Sequence, residues 1–322
     1  MCYSGQIRAE FKKFTRQFGA VMSIKDYVKT FWTRAHAPGA RVLIPKAIEL
    51  DVLGSDDPGL DEAKQAIREF NAAEATRLEQ EVFKQRARLA EAERKLASKP
   101  TKAAQESQRI ASSKTTWAIG KLADLRRTEP LERDSRIFPG WYAPVLVMED
   151  GQLVVKPMRY QCRPAGKPAF YDTKFPGTYN ARRDNLEGFW TGQFGVTHGL
   201  VLMTSFYENV NRHRAEGREL APGEEIENTI LQFKPRPEQE MLVACLWSRW
   251  TSADGQDELL SFAAITDEPP DEVAAAGHDR CIVPIKAENV EAWLTAAPPQ
   301  LERFYEILDD RERPYYEHRI AA

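Results

Sequence analysis

The most distinctive chemical group in this sequence is Cys2, in the opening MCYSGQI. A cysteine in second place is small enough for a methionine aminopeptidase to remove Met1, and the mature chain then begins with a free 1,2-aminothiol. The α-amine of such an end group has an ordinary pKa of about 7.7–8.0 and its thiol one of about 8.5, so both are partly nucleophilic near neutrality. The amine can condense with an aldehyde to an imine, and the thiol can then close a five-membered thiazolidine ring, which no internal cysteine can do. A second feature is the stretch from Lys156 to Arg183, where Lys and Arg face a single Asp and Tyr and Phe are interleaved. Basic and aromatic residues together suit phosphate contacts and base stacking.

The other three cysteines, Cys162, Cys245 and Cys281, are far apart and form no CxxC pair, which argues against a zinc site or a disulfide framework. Cys245 and Cys281 sit in apolar runs and read as core residues. No metal and no cofactor is expected. With 322 residues, 42% hydrophobic and 29% charged, the chain has the composition of a globular protein able to bury a sizeable core. The net charge of -3 is not that of a uniformly basic nucleic-acid binder. No apolar run reaches eighteen residues and the start has no apolar signal region, so a cytoplasmic protein without a membrane span is expected.

The elements that must position these residues fall into two kinds. Phe11, Phe14, Phe18, Val21 and Met22 recur at helical spacing and predict one or two short helices, followed by RVLIPKAIELDVLG as an extended segment. Residues 56–130 then change character. A long amphipathic helix runs to SKPTK, where Pro100 cannot continue it, and a second helix follows from Ala103 to Arg127. This pair predicts a helical hairpin inserted into a core of residues 1–55 and 131–322, a structural insertion or an arm for self-association or a protein partner.

After Pro130 the sequence becomes strand-like. WYAPVLVMEDGQLVVKPMRY places two strands around Asp150-Gly151, a type I′ hairpin signal. The further runs GLVLMTSFYE, QEMLVACLWSRW, SFAAIT and CIVPI are too closely spaced for βαβ units. The fold expected is α+β: an antiparallel, partly closed, barrel-like sheet with flanking helices. KAENVEAWLTAA reads as a short helix and the tail as a final helix or irregular end.

Four segments stand in this order: MC at the start, NAR at Asn180-Ala181-Arg182, SFYE at Ser205–Glu208 and GHDR at Gly277–Arg280. Together with the YAP at Tyr142–Pro144, KPMRY, Leu246-Trp247 and VEAWL, they resemble the SRAP family, the SOS response-associated peptidases regarded as abasic-site processing proteins. The resemblance implies that Cys2 forms a thiazolidine with the ring-opened aldehyde of an abasic site in single-stranded DNA, with self-cleavage as a way to expose it. It implies that Asn180 holds the sugar or the α-amine, that Glu208 is an acid/base, and that His278 moves protons during imine formation. Arg182 and Arg280 would contact phosphate, as guanidinium favours, with Arg159 and Arg163 from the basic stretch as further DNA contacts.

Tyr3 and Ser4 stand where the family commonly has Gly-Arg, and Tyr160, Phe170 or Tyr171 must take the place of its stacking tryptophan. On this reading the protein is cytoplasmic and nucleoid-associated when bound to DNA. Two other classes remain open: an N-terminal-nucleophile hydrolase or glutamine amidotransferase using Cys2, and a non-enzymatic DNA-binding module whose helical arm recruits a partner.

Overall fold

The computed structural model describes residues 3–37, 39 and 41–321, so Cys2 lies outside the described residues. The chain divides into two compact units: one of Met1–Thr30, Arg41–Gly54 and Glu132–Ala322, the other of Phe31–Ala40 and Ser55–Leu131.

The first unit begins with strand β1 (Ser4–Ile7), helix α1 (Phe11–Phe18), strand β2 (Val21–Met22) and the start of helix α2 (Ile24–His36). Val21 and Met22, whose spacing predicts a helix, are a strand instead. Gly19 is left-handed at φ 65 and ends α1, as only glycine does without cost, and Val21–Met22 then pair in parallel with Val154 and Val155. The segment read as extended is instead helix α3 (Lys46–Leu53), followed by Gly54. Pro45 fixes the backbone at its N-cap, with φ -58, and Ile48 and Val52, four residues apart, share its buried face. Extended pairing there is limited to a bridge between Leu43 and Trp141.

The second unit holds helices α4 (Asp61–Ser98) and α5 (Lys102–Arg126), with Thr101 capping the second by accepting from the Ala104 N–H at 3.2 Å. In the distal part of the pair the buried residues are Leu78, Gln85 and Ala92 on α4 and Ala104, Ala111 and Ala118 on α5. Each set repeats every seven residues, the spacing of a coiled-coil seam, and the alanines allow close approach.

The remaining elements belong to the first unit: β3 (Arg136–Ile137), β4 (Tyr142–Glu149), β5 (Gln152–Tyr160), α6 (Tyr171–Lys174), β6 (Asn180–Arg182), β7 (His198–Asn211), α7 (Arg212–Ala215), β8 (Asn228–Arg236), β9 (Met241–Thr251), β10 (Glu258–Asp267), α8 (Asp271–Ala275), β11 (Cys281–Ile282), β12 (Pro284–Ile285), α9 (Val290–Leu294), α10 (Leu301–Asp309) and β13 (Tyr315–Ile320). The tail beyond α10 is thus a strand, paired antiparallel with β8. Strand β8 is not among the runs expected from sequence, because Leu231, Gln232 and Phe233 are buried in succession and break the period-2 pattern.

Strands β9, β10, β5, β4 and β7 pair in that order, and β7 pairs back to β9, which closes a five-stranded barrel. All these pairings are antiparallel except β10 with β5. The α+β class and the partly closed antiparallel sheet therefore hold. The β4–β5 turn is built at Asp150 (φ 51) and Gly151 (φ 75), the two positive-φ positions that a type I′ turn needs.

Trp293 of α9 is fully buried and donates its Nε1–H to the Gly199 carbonyl at 3.0 Å; replacing such a side chain by Ala typically costs about 3–5 kcal/mol. Gly199 itself lies where a Cβ would meet Val145 Cγ1 at 2.9 Å and Cys245 Sγ at 3.1 Å. Gly199→Ala is expected to destabilise the protein by about 1–3 kcal/mol through overpacking. Chemical denaturation reads the shift, and an unchanged midpoint would contradict this packing account.

Candidate functional site

Strand β7 is fourteen residues long and serves two structures at once. Its first half closes the barrel against β9, and its second half pairs with β1 on one side and β8 on the other. The β1 register sets Ser4 opposite Tyr207 and Gly5 opposite Phe206, so Tyr3 arrives beside Glu208. This junction is fixed by a buried network outside the residues expected from sequence. Tyr207 donates its hydroxyl to Gln6 Oε1 at 2.9 Å, and Gln232 Nε2 donates to the Tyr207 oxygen at 2.9 Å and to Ser205 Oγ at 3.1 Å. The Arg136 guanidinium lies over the Tyr207 ring at 3.6 Å and donates to Ser4 Oγ at 3.0 Å. Ser205 and Tyr207 lie within the SFYE segment, whereas Gln6, Arg136 and Gln232 are far from it in sequence and form no local motif with it.

The Glu208 side chain has no solvent exposure. His278 reaches it from the loop after α8, where Gly277 turns the chain at φ 96 and the His278 N–H closes back on the Val273 carbonyl at 3.3 Å. His278 Nε2 lies 3.1 Å from Glu208 Oε2. The other ring nitrogen, Nδ1, is 2.8 Å from the Arg280 carbonyl and 3.3 Å from the Arg280 N; the shorter contact, to an oxygen that can only accept, requires an N–H on Nδ1. The neutral imidazole then has its lone pair on Nε2, facing Glu208, and the two side chains share one proton between them.

Burial decides where that proton rests. It pushes the Glu208 carboxyl up to about 8, against the lowering effect of a backbone hydrogen bond from Tyr3. Burial also holds the His278 imidazole below its ordinary value, although its Arg280 hydrogen bond works the other way. Both shifts favour the uncharged pair near neutrality, a carboxylic acid donating to a neutral imidazole. The pair opens into a cavity of about 310 Å³ walled by Tyr3, Tyr179, Tyr207 and Ile230. Tyr3 is 48% exposed and meets the Phe138 and Tyr179 rings edge-on at 6.0 and 6.3 Å.

Asn180 is buried on β6, opposite Ala264 of β10, and its Oδ1 accepts from the Tyr160 hydroxyl at 3.4 Å. It adjoins the cavity through its neighbour Tyr179. Tyr160 is itself fully buried, so it cannot stack on a base, whereas Phe170 is exposed. The four arginines proposed for DNA form two pairs, each around one aspartate. Arg159 and Arg163 both bind Asp172, with Arg163 over the Trp250 ring at 4.3 Å. Arg182 and Arg280 both bind Asp184, at 2.7 and 3.3 Å. Each pair therefore keeps one net positive charge.

Among the described residues, Cys162, Cys245 and Cys281 are buried and free of disulfides, and burial pushes the Cys162 thiol up to about 12. His198 is a satisfied core histidine: its Nδ1–H donates to the Trp293 carbonyl at 2.9 Å, its Nε2 accepts from the Gly195 N–H at 2.8 Å, and burial lowers its pKa to about 4. No group of three or more His, Cys, Asp or Glu that could hold a metal occurs among the described residues. No described helix is long and apolar enough to cross a membrane.

The raised Glu208 pKa gives stability a definite pH dependence. A group held protonated in the fold and ionised when unfolded stabilises fully below its ordinary pKa of 4.5, and this contribution is lost as pH rises towards about 8. Glu208→Gln, which keeps the donor and cannot ionise, is expected to gain thermal stability relative to the parent chain between pH 5 and 8 and to gain no more above that range. Melting curves across that range test this; a constant difference would mean that Glu208 is ionised in the fold.

A protein-family model described as SOS response associated peptidase (SRAP) matches residues 64–320. No curated protein matches the chain. Among solved structures, a protein from Bordetella bronchiseptica is 16% identical, with a TM-score of 0.45 over 58% of this chain and 87% of that one. One from Bacteroides thetaiotaomicron is 14% identical, with a TM-score of 0.46 over 58% and 78%. A phage-related protein from Bordetella bronchiseptica is 20% identical, with a TM-score of 0.42 over 58% and 81%. The family match spans most of the sequence and includes the NAR, SFYE and GHDR segments, and by it the chain belongs to the SRAP family, proteins associated with the SOS response to DNA damage.

Proposed function

We propose that the protein captures abasic sites in single-stranded DNA as a covalent thiazolidine at Cys2, once Met1 has been removed. The observation that carries this reading is the buried Glu208–His278 pair, 3.1 Å apart, opening into a cavity walled by Tyr3, the residue bonded directly to Cys2.

In the proposed reaction the Cys2 amine attacks the aldehyde carbon of the ring-opened sugar, forming a carbinolamine. Loss of its hydroxyl as water needs a proton, which Glu208 in its acid form can supply, leaving an iminium. The thiol sulfur then adds to the iminium carbon and closes the ring, and its proton passes to the Glu208–His278 pair. The sum is aldehyde plus aminothiol giving thiazolidine and water. A neutral Glu208 has a further benefit. An ionised carboxylate beside the amine would stabilise ammonium, which is not nucleophilic, whereas the acid leaves the amine free. The buried, protonated thiols of the other three cysteines make them poor rivals for Cys2.

Asn180 would orient the sugar, and Arg182 and Arg280 would meet flanking phosphates by exchanging Asp184 for them. The same pair could serve a self-cleavage that exposes Cys2.

The test is a denaturing gel of protein shown by intact mass to begin at Cys2, incubated with a single-stranded oligonucleotide holding one abasic site and with an undamaged control. A shifted band is expected only with the abasic strand and only with Cys2 present. Glu208→Gln should slow its formation by about a hundredfold, the lower range for loss of a general acid or base, and should abolish the fall in rate expected above about pH 8. An equal yield from Cys2→Ala would falsify the proposal.

A further inference from the structure

The charge of this protein is divided unevenly between its parts. Residues 61–127 carry fifteen Lys or Arg against ten Asp or Glu, although the whole chain is at -3. Within the hairpin the excess is concentrated away from its feet. Positions 84–121 hold ten Lys or Arg against three Glu, an excess of seven positive charges.

Helix α4 from residue 84 to its end covers about 22 Å at 1.5 Å per residue. One DNA strand presents a phosphate about every 3.4 Å, or about six over that length, close to the excess charge available. Self-repulsion on this scale disfavours the free arm, and a polyanion relieves it. Lys95 and Arg109 are paired with Glu91 and Glu106. Lys84, Arg86, Lys99, Lys102, Lys114 and Lys121 are exposed and have no acidic partner among the described residues.

Phe83 is 78% exposed, directly beside Lys84, and Trp117 is 49% exposed on α5. An apolar coiled-coil partner would want a continuous apolar face, whereas this surface offers two rings and Ile119 among cations. That combination matches unpaired nucleotides, which bring phosphates and stacking faces together.

We infer that the distal half of the α4–α5 hairpin is a second, sequence-independent contact for single-stranded DNA, made through phosphate neutralisation and base stacking. The affinity for a polyanion is argued from the hairpin alone, and the choice of DNA rests on the function proposed above. The hairpin holds the strand reversibly, and no covalent step is involved.

The test uses the full chain and an undamaged, fluorescein-labelled single-stranded 30-mer, so that covalent capture plays no part. Lys84, Arg86, Lys99, Lys102, Lys114 and Lys121 are changed together to Gln, a good helix former, and helicity is checked by circular dichroism. The variant is expected to bind at least tenfold more weakly near 0.1 M salt. Its slope of log affinity against log salt should flatten by about four, at about 0.7 for each phosphate no longer neutralised. If the sixfold variant loses helicity, Lys99→Gln with Lys102→Gln takes its place, with a slope change of about 1.4 expected.

Unchanged affinity and slope would overturn the inference. So would an unchanged DNA affinity with loss of self-association in sedimentation, which would make the arm a protein-binding element. The two proposals fail separately. At saturating abasic strand the sixfold variant should still form the Cys2 adduct, and Cys2→Ala should still show the full salt slope on undamaged strand.

Discussion

A carboxyl group with no access to water has two stable choices: hold a proton or be matched by a charge. Glu208 sits in the middle of three paired strands, where Tyr207, its neighbour, is tied into a network with Gln6 and Gln232. Its position is thus set by sheet register, and it cannot swing into solvent to ionise cheaply. His278 answers this with a lone pair, because its other nitrogen is committed to the Arg280 carbonyl. The tight turn at Gly277, the short strand β11 and the pairing of β11 with β10 all serve to deliver that imidazole at the right height. Where the protons of the site rest therefore follows from the backbone more than from surface charge.

The same register explains how Tyr3 reaches the cavity. Strand β1 is only four residues long, yet all four are buried. Ser4 and Gln6 are polar, and each is satisfied by a distant partner, Arg136 and Tyr207 respectively. Such a strand would be weak alone. Held between β3 and β7, it fixes Tyr3 at the cavity to within the tolerance of a sheet ladder, which a loop would not do.

Much of this is legible in the sequence, for identifiable reasons. The β4–β5 hairpin follows from Asp150-Gly151, and the long helices from sustained periodicity and the break at Pro100. The pair of Glu208 and His278 comes from short motifs, and the structure does bring the two together. What is hardest to read is the pairing of residues that share no motif, and where a local breaker decides the element. Val21 and Met22 fit a helical stripe until Gly19 ends the helix and Val154–Val155 offer a ladder. The segment at 46–53 looks extended because apolar residues are dense there, yet Pro45 starts a helix instead. Strand β8 is hidden because both of its faces are covered, and the Arg136–Tyr207 contact joins residues with no shared pattern. The pairing of the four arginines around Asp172 and Asp184 is also invisible, since charge counts along a chain do not reveal which cations are already occupied.

The hairpin seam, finally, bears on how such a chain can change over time. In its distal part the buried residues return every seven positions on both helices, and on α5 all three are alanine. On α5 each seven-residue block therefore brings the same seam residue as the next. Removing or duplicating one block on each helix would restore the same seam and leave the feet of the helices where they were. The reach of the arm is thus a quantity that descent can adjust in steps of about 10 Å, without asking the barrel to refold around the change.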